Sequence, residues 1–266
     1  MIVPQSDLWW LPKNVAIDTL LVGLEHHEVV TDDEIPLSLD DWYHSLDQDG
    51  NLSHNREYHP INSLNKWRSA CRNTNVYRTL KVFDENSREA IFLGPFLIDI
   101  DNSNEDLEEA QAVTKQVLNY LIEQLRLPLE DIRLFFSGRK GFNLEVLPQA
   151  IGINGLIPNQ IRLSSNKLND IIVFLRRKND IQDGSTNVVG SNRTVIERIY
   201  ENRFGYKLKH PYIRFHNSIN KWIQYDGKEV SRCKHEVTIE QLHSLSASEI
   251  ASESEKLARE GCRSET

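Results

Sequence analysis

The feature that most constrains this chain is a short apolar segment that ends in two aspartates. Residues 94 to 101 read GPFLIDID, and an apolar, β-branched run entered through Gly-Pro predicts a buried strand. Side chains alternate along a strand, so Asp99 and Asp101 share one face while Ile98 and Ile100 share the other. Two neighbouring carboxylates repel each other unless a cation joins them, and hard divalent ions take oxygen ligands. Solvated turns at strand ends are the alternative source of such a pattern.

The segment after the aspartates predicts the clearest helix of the chain. Between Asn104 and Leu127, apolar residues recur every three or four positions, which is typical of a helix with one buried stripe. Ser103 or Asn104 can serve as the N-cap, and the acidic first turns suit the helix dipole. Strands are predicted at 132–136 and 142–147. This order is a βαββ unit, in which the helix covers one face of the sheet and leaves the aspartates on the other, open face.

The turn between the last two strands has the composition of a phosphate-binding loop. Residues 137 to 141 read SGRKG, where Gly138 and Gly141 permit positive φ and close approach of the backbone. Arg139 and Lys140 lie between the two glycines. Exposed amides and two cations in a glycine-framed turn suit a polyphosphate. An ordinary hairpin with a basic tip is the alternative.

Polar side chains of two further strands are candidates for the same site. After the turn, Asn143 and Glu145 alternate with apolar residues, so both look toward the aspartates if the apolar set packs under the helix. Another strand is predicted at 75–83. Its Arg78 and Lys81 are basic residues that could reach a triphosphate or a template.

Together these residues resemble the catalytic core of the archaeo-eukaryotic primases and primase-polymerases. That family has an apolar strand ending in Asp-x-Asp, a helix, and then Ser-Gly-x-x-Gly-x-His. Here Asn143 stands in place of the His, and Asn can donate a hydrogen bond but cannot shuttle a proton. A third family element, a strand arginine followed by a Ser and a Lys that hold the incoming nucleotide, is similar to residues 212–221 with Arg214, Ser218 and Lys221. The resemblance covers about half of the chain.

The resemblance implies a third acid beside the metal, and the sequence leaves it open. Glu197 precedes the Arg214–Ser218 element, as the family's third acid does. Glu145 is the alternative, because alternation along its predicted strand places it on the same face as the aspartates. Asp180 and Asp183 lie in a polar segment and are weaker candidates.

The fold implied is α/β, with an RRM-like βαββ catalytic unit packed against an N-terminal α/β module, in the manner of an archaeo-eukaryotic primase. The primase-like domain would span 1–236, with the module at about 1–93 and the core at about 94–236. A helical and loop excursion at 149–190 would interrupt the core. Residues 237–266 would form a helical tail.

The activity implied is metal-dependent nucleotidyl transfer that makes or extends primers on single-stranded DNA. Asp99, Asp101 and Glu197 would be catalytic, with Mg²⁺ or Mn²⁺ held by the two aspartates. The residues implied to bind the nucleoside triphosphate are Ser137, Gly138, Arg139, Lys140, Gly141, Asn143, Arg214, Ser218, Lys221 and Arg78. The implied partners are nucleoside triphosphates and a single-stranded DNA template, with a helicase or a larger replication protein as a further candidate. A two-metal nuclease and a catalytically impaired primase-like domain that binds single strands are the competing classes.

The charge of the chain is unevenly distributed. The total is −8, yet residues 133–221 carry 15 Lys and Arg against 6 Asp and Glu, a local balance of +9. Such asymmetry favours a polyanion-binding face, with a solvated basic surface as the alternative. Three widely spaced cysteines predict reduced thiols and a cytoplasmic location. The sequence predicts neither a membrane span nor a signal peptide.

Overall fold

The protein, seen in a computed structural model, combines α-helices with antiparallel β-sheets. The described residues are 9–10, 20–27, 56–60, 75–84, 86, 90–102, 105–152, 166–167, 170–171, 173–174, 212–224 and 226–262. The strands are β1 (Leu20–His27), β2 (Arg56–Pro60), β3 (Asn75–Asp84), β4 (Ala90–Leu93), β5 (Phe96–Asp101), β6 (Ile132–Phe136), β7 (Gly141–Val146), β8 (Tyr212–Arg214), β9 (Ile219–Ile223), β10 (Glu229–Cys233) and β11 (His235–Glu236). The α-helices are α1 (Leu107–Asn119), α2 (Ile239–Ser244) and α3 (Ala247–Arg259), with a π-helical turn at Tyr120–Gln124 and 3₁₀ turns at Leu129–Asp131 and Pro148–Ile151. In this part of the chain, no helix is both long and apolar enough to cross a membrane.

The described strands form three sheets, and each of their pairings is antiparallel. The first sheet has the order β2-β1-β3-β4, and β8 also pairs with β3. The second, called the central sheet below, has the order β11-β6-β7-β5. β9 and β10 form a separate hairpin. Because β5 and β6 flank β7, the predicted strand, helix, strand, strand unit is present with its last strand in the middle.

The two faces of the central sheet carry different side chains. Ile98 and Ile100 of β5 and Phe142 and Leu144 of β7 are completely buried. They belong to one apolar cluster with Val117 of α1, which lies against this face. Alternation along β5 therefore places its aspartates on the other face, as the sequence pattern predicts.

Helix α1 begins at Leu107, later than the start predicted at Asn104. Its N-cap is Asp106, whose side chain accepts a hydrogen bond from the amide of Glu109 at 3.0 Å. Asn102 explains the displacement, because its Oδ1 accepts from the amide of Asp106 and its Nδ2 donates to the carboxylate of Glu109. The side chain of Asn102 thus fixes the chain ahead of the helix, and the prediction of an N-cap two or three residues earlier is wrong.

Two helices, α2 and α3, lie in the segment that the sequence predicts to be helical. Thr238 caps α2 and Ser246 caps α3, each in a capping box completed by Gln241 and Glu249 respectively. Ile250 of α3 lies in the same apolar cluster as the central sheet. These helices are therefore part of the core packing, although they fall in the segment predicted as a tail.

A disulfide between Cys233 and Cys262 joins the end of β10 to the residues after α3. The prediction of reduced thiols is wrong for this pair. The two cysteines are 29 positions apart in sequence, yet their Cα atoms lie 6.2 Å apart. Ile219 and Ala258 pack in the same small apolar cluster, which brings helix and hairpin together. Spacing along the sequence carries no information about this tertiary contact.

Several predictions fall outside the described residues. They include Glu197, the acidic candidates at 180 and 183, Lys81 as a side chain, and most of the 149–190 excursion. The division into a primase-like domain and a tail stays a prediction.

Candidate active site on the aspartate face of the central sheet

The face of the central sheet that carries Asp99 and Asp101 is called the aspartate face here. Asp99 lies opposite Asn143 of β7, and Asp101 lies opposite Gly141. The Nδ2 of Asn143 donates a hydrogen bond to Oδ1 of Asp99 at 2.6 Å. The predicted grouping of Asp99, Asp101 and Asn143 on one face is therefore confirmed. The reason is that side chains alternate along each strand, and residues that pair directly across two strands point to the same face of the sheet.

The two aspartates are crowded against each other and against the protein. Burial and the negative charge of Asp101 raise the pKa of Asp99 to about 8, although Lys234, Lys140 and the Asn143 amide oppose the shift. Burial also raises the pKa of Asp101, against the positive charges of Lys140, Arg139 and Arg214. The pair therefore retains a proton near neutral pH rather than two full negative charges. A divalent cation that replaced this proton would remove the repulsion.

The turn from Ser137 to Gly141 closes over the aspartate end of this face. Gly138 has φ +87°, and a Cβ there would lie 3.2 Å from the backbone of Cys233 and Lys234, so only glycine lets the turn approach so closely. At Gly141, a Cβ would collide with the carbonyl oxygen of Ile100 and lie 2.8 Å from Oδ1 of Asp101. The close backbone approach predicted at both glycines is confirmed, and positive φ is confirmed at Gly138.

The backbone hydrogen bonds of the turn use the residues at its two ends and not the amides at its tip. The amide of Ser137 donates to the carbonyl of Gly141 at 2.9 Å, and the amide of Asn102 donates to the carbonyl of Lys140 at 3.1 Å. Among the described residues, the amides of Arg139 and Lys140 donate to no acceptor. Successive amides of this kind form a concavity suited to anions.

The two cations of the turn have different surroundings. Nζ of Lys140 lies 3.5 Å from Oδ2 of Asp101, whose side chain is 18% exposed. Arg139 forms an ion pair of 2.8 Å with Glu105, and its guanidinium lies 5.6 Å from the ring centroid of Trp222. Lys140 is thus the cation of the turn that lies beside Asp101, whereas Arg139 lies toward the β9–β10 hairpin.

The other end of the aspartate face is covered by a buried charge cluster, defined here as Glu145, Lys234, Arg78 and Trp9. The carboxylate of Glu145 lies 3.2 Å from Nζ of Lys234 and 3.7 Å from Nη2 of Arg78, and it accepts a hydrogen bond from Nε1 of Trp9 at 3.3 Å. Against the effect of burial, these partners lower the pKa of Glu145, with Lys234 contributing most. The prediction of an open face therefore holds only at the aspartate end.

The element that the resemblance assigns to nucleotide binding reaches the site in part. The charge of Arg214, at the end of β8, acts on Asp101. Ser218 is completely buried, and its carbonyl accepts a hydrogen bond from the amide of Lys234. Lys221 has the opposite strand parity to Asn220 and Trp222, which are the residues of β9 that face the turn. Of this element, Arg214 is therefore the residue best placed for a ligand at the aspartates.

Sequence reasoning missed Lys234 and its neighbour His216. Lys234 has 1% of its side chain exposed, and its Nζ lies 4.6 Å from the ring centroid of Phe135. His216 contacts the same ring edge-on at 5.4 Å, and burial together with the charge of Lys234 lowers its pKa to about 3. No local pattern marks either residue, because Lys234, between β10 and β11, and His216, between β8 and β9, acquire their positions from contacts with other strands.

The donor set at the aspartates fits one hard divalent ion. Within the described residues, no group of three His, Cys, Asp or Glu side chains is arranged to hold a metal. Two carboxylates are nevertheless what Mg²⁺ commonly takes from a protein, because waters and substrate phosphates complete its octahedron.

No protein-family model matches this chain, and no curated protein matches it either. The chemistry of the site therefore follows from its own residues. They are a crowded pair of aspartates, a glycine-framed turn with a lysine 3.5 Å from one of them, and an arginine whose charge reaches the same carboxylate.

Proposed function

We propose that this protein is a metal-dependent nucleotidyltransferase of the primase or primase-polymerase class, which makes or extends primers on single-stranded DNA. The single observation that supports this most is the position of the cationic turn, which sets Lys140 beside the aspartate pair. A site with both an anionic pair and an anion-binding turn suits the joint binding of a divalent ion and a polyphosphate. The order of motifs along the sequence and the archaeo-eukaryotic primase-like fold that it implies belong to the same proposal.

Asp99 and Asp101 would hold Mg²⁺ or Mn²⁺. When bound, the ion lowers the pKa of the attacking 3′ hydroxyl and neutralises charge on the leaving pyrophosphate. Asn143 fixes the orientation of Asp99 through its 2.6 Å hydrogen bond. Gly141 keeps the space beside Asp101 free of a side chain.

The triphosphate would lie against the turn. Lys140 and Arg214 would contact its phosphate oxygens, and the amides of Arg139 and Lys140 would donate to them. The basic balance of residues 133–221 in the sequence favours the binding of a template strand. Nucleoside triphosphates and single-stranded DNA are the partners we propose, and a helicase or a larger replication protein is a further proposed partner.

Two observations favour a second candidate, a catalytically impaired primase-like domain that binds single strands. Asn143, which stands where the family has a phosphate-contacting His, gives its amide hydrogen to Asp99. Ser218, which would contact the nucleotide, is completely buried. An impaired domain would keep affinity for single-stranded DNA without turnover.

Primer synthesis on a circular single-stranded DNA with Mn²⁺ and labelled nucleoside triphosphates tests the proposal. We expect labelled products with the wild type and with Asp170→Ala, a control that removes an exposed carboxylate elsewhere. Binding of the circle without any product would support the impaired domain instead. Cutting of the circle without incorporation would support a nuclease.

A further inference from the structure

The acidic residue next along the aspartate face is already saturated with positive partners. Glu145 lies diagonally across the β5–β7 ladder from Asp99, because it pairs with Leu97 while Asn143 pairs with Asp99. This brings it into the neighbourhood of the aspartates. Its carboxylate nevertheless contacts Lys234, Arg78 and Trp9, and it is 2% exposed. Its oxygens are therefore committed to the buried charge cluster rather than to a metal.

Lys234 is held at both of its ends. Its carbonyl accepts a hydrogen bond from the amide of Asn217 at 2.8 Å, and its amide donates to the carbonyl of Ser218 at 3.0 Å. Its ammonium is fixed between Glu145 and the ring of Phe135. The result is a positive charge with a defined position on the aspartate face.

That charge reaches the aspartates. Phe135 pairs with Asn143, and Asn143 pairs with Asp99, so the three side chains form one row across the sheet. The ammonium above Phe135 lies over this row. Lys234 is therefore part of the electrostatics of the aspartate pair, although it does not belong to the turn.

We propose that the aspartate face binds a single divalent cation, and that the ammonium of Lys234 supplies the second positive charge. This inference rests on the proposed function and narrows it. A two-metal site holds its ions about 3.5–4 Å apart and needs oxygen ligands for both. Here the next carboxylate along the face is neutralised by a fixed lysine, which also repels a second cation. Lys234 acts through Asp99 and Glu145, so it is a positioning residue and not a catalytic one.

Electron paramagnetic resonance of Mn²⁺ bound to the full chain tests the number of ions. The protein is saturated with Mn²⁺ in the presence of a non-hydrolysable nucleoside triphosphate. We expect the spectrum of isolated Mn²⁺ ions in the wild type, and loss of bound Mn²⁺ in Asp99→Asn/Asp101→Asn. The spectrum of an exchange-coupled Mn²⁺ pair in the wild type would overturn the inference.

Lys234→Met separates the proposed role from a structural one. Removing a positive charge beside Asp99 should tighten Mn²⁺ binding by on the order of tenfold, while turnover falls because the second charge is lost. Lys234→Arg should restore turnover. A purely structural lysine would weaken metal binding and turnover together, and that result would also overturn the inference.

Two further variants guard against misfolding. Lys234→Met/Glu145→Gln removes both charges of this pair, so the Glu145 carboxylate is not left buried without Lys234, although Arg78 loses the same carboxylate. A smaller tightening of Mn²⁺ binding is expected, because a negative charge near Asp99 is removed together with the positive one. Lys228→Met removes an exposed lysine at the tip of the β9–β10 hairpin and should change neither Mn²⁺ binding nor turnover. If the wild type makes primers while holding a coupled Mn²⁺ pair, this inference fails and the proposed function stands. If it neither binds Mn²⁺ nor incorporates nucleotides, both fail.

Discussion

The two ends of the aspartate face hold buried carboxylates whose pKa values are shifted in opposite directions. At one end, burial and mutual repulsion raise the pKa of Asp99 to about 8. At the other, Lys234 and Arg78 hold the pKa of Glu145 below its usual range. A carboxylate that keeps its charge with satisfied partners stabilises a fold, whereas a pair that cannot keep its charges calls for an added cation. We therefore propose a ligand-binding role for the aspartate end and a structural role for the Glu145 carboxylate at the other end.

The largest effect should come from the aspartate end. Asp99→Ala and Asp101→Ala should each abolish nucleotide incorporation, because the metal loses one of its two protein ligands. The melting temperature should stay nearly unchanged or rise, since truncation relieves repulsion. Incorporation is measured per folded molecule beside the melting curve. A variant that unfolds but keeps its activity when folded would refute the metal assignment.

The charge cluster should respond in the opposite way. Glu145→Gln leaves Lys234 and Arg78 without their shared anion, and breaking a buried ion pair on one side typically costs about 3–5 kcal/mol of unfolding free energy. Denaturant melts measure the change. The matched control is Glu236→Gln, which breaks the 2.7 Å pair with Arg133 at a more exposed position, and it should cost less than about 1 kcal/mol. Equal losses in the two variants would remove the distinction between the two ends of the face.

The phosphate-binding turn should show a smaller effect that is confined to the nucleotide. Lys140→Ala should raise the KM for the triphosphate roughly ten- to a hundredfold, because losing one charge-assisted contact costs about 1.5–3 kcal/mol. The sequence predicts the same rise in KM for Lys221→Ala. In the structure Lys221 lies on the side of β9 that faces away from the turn, which predicts a smaller rise. Steady-state kinetics and single-strand binding are measured on both variants. If template binding falls while the KM holds, the turn binds DNA rather than the nucleotide.

Local patterns predict the parts of this site that depend on strand phase and turn chemistry. Asp99 and Asp101 share a face through alternation along β5, and Asn143 lies on the same face because it pairs directly with Asp99 in the β5–β7 ladder. The partners of Glu145 could not be predicted, since Arg78 arrives on another sheet and Lys234 on a short connection between β10 and β11. The Cys233–Cys262 contact could not be predicted for the same reason. What the sequence omits is long-range contact between elements.

The melting temperature of the metal-free protein between about pH 5 and pH 9 tests the central claim most directly. Asp99 has a folded-state pKa raised from 3.8 to about 8, so the folded state binds this proton more tightly than the unfolded chain does. Wild-type stability should therefore fall as pH rises through this window. Asp99→Asn lacks that proton, so its melting temperature relative to wild type should rise steadily up to about pH 8. Mn²⁺ should restore the wild type at pH 8 and leave Asp99→Asn nearly unchanged. A difference between the two proteins that stays constant with pH, or equal stabilisation of both by Mn²⁺, would contradict the assignment of Asp99 and Asp101 as the cation site.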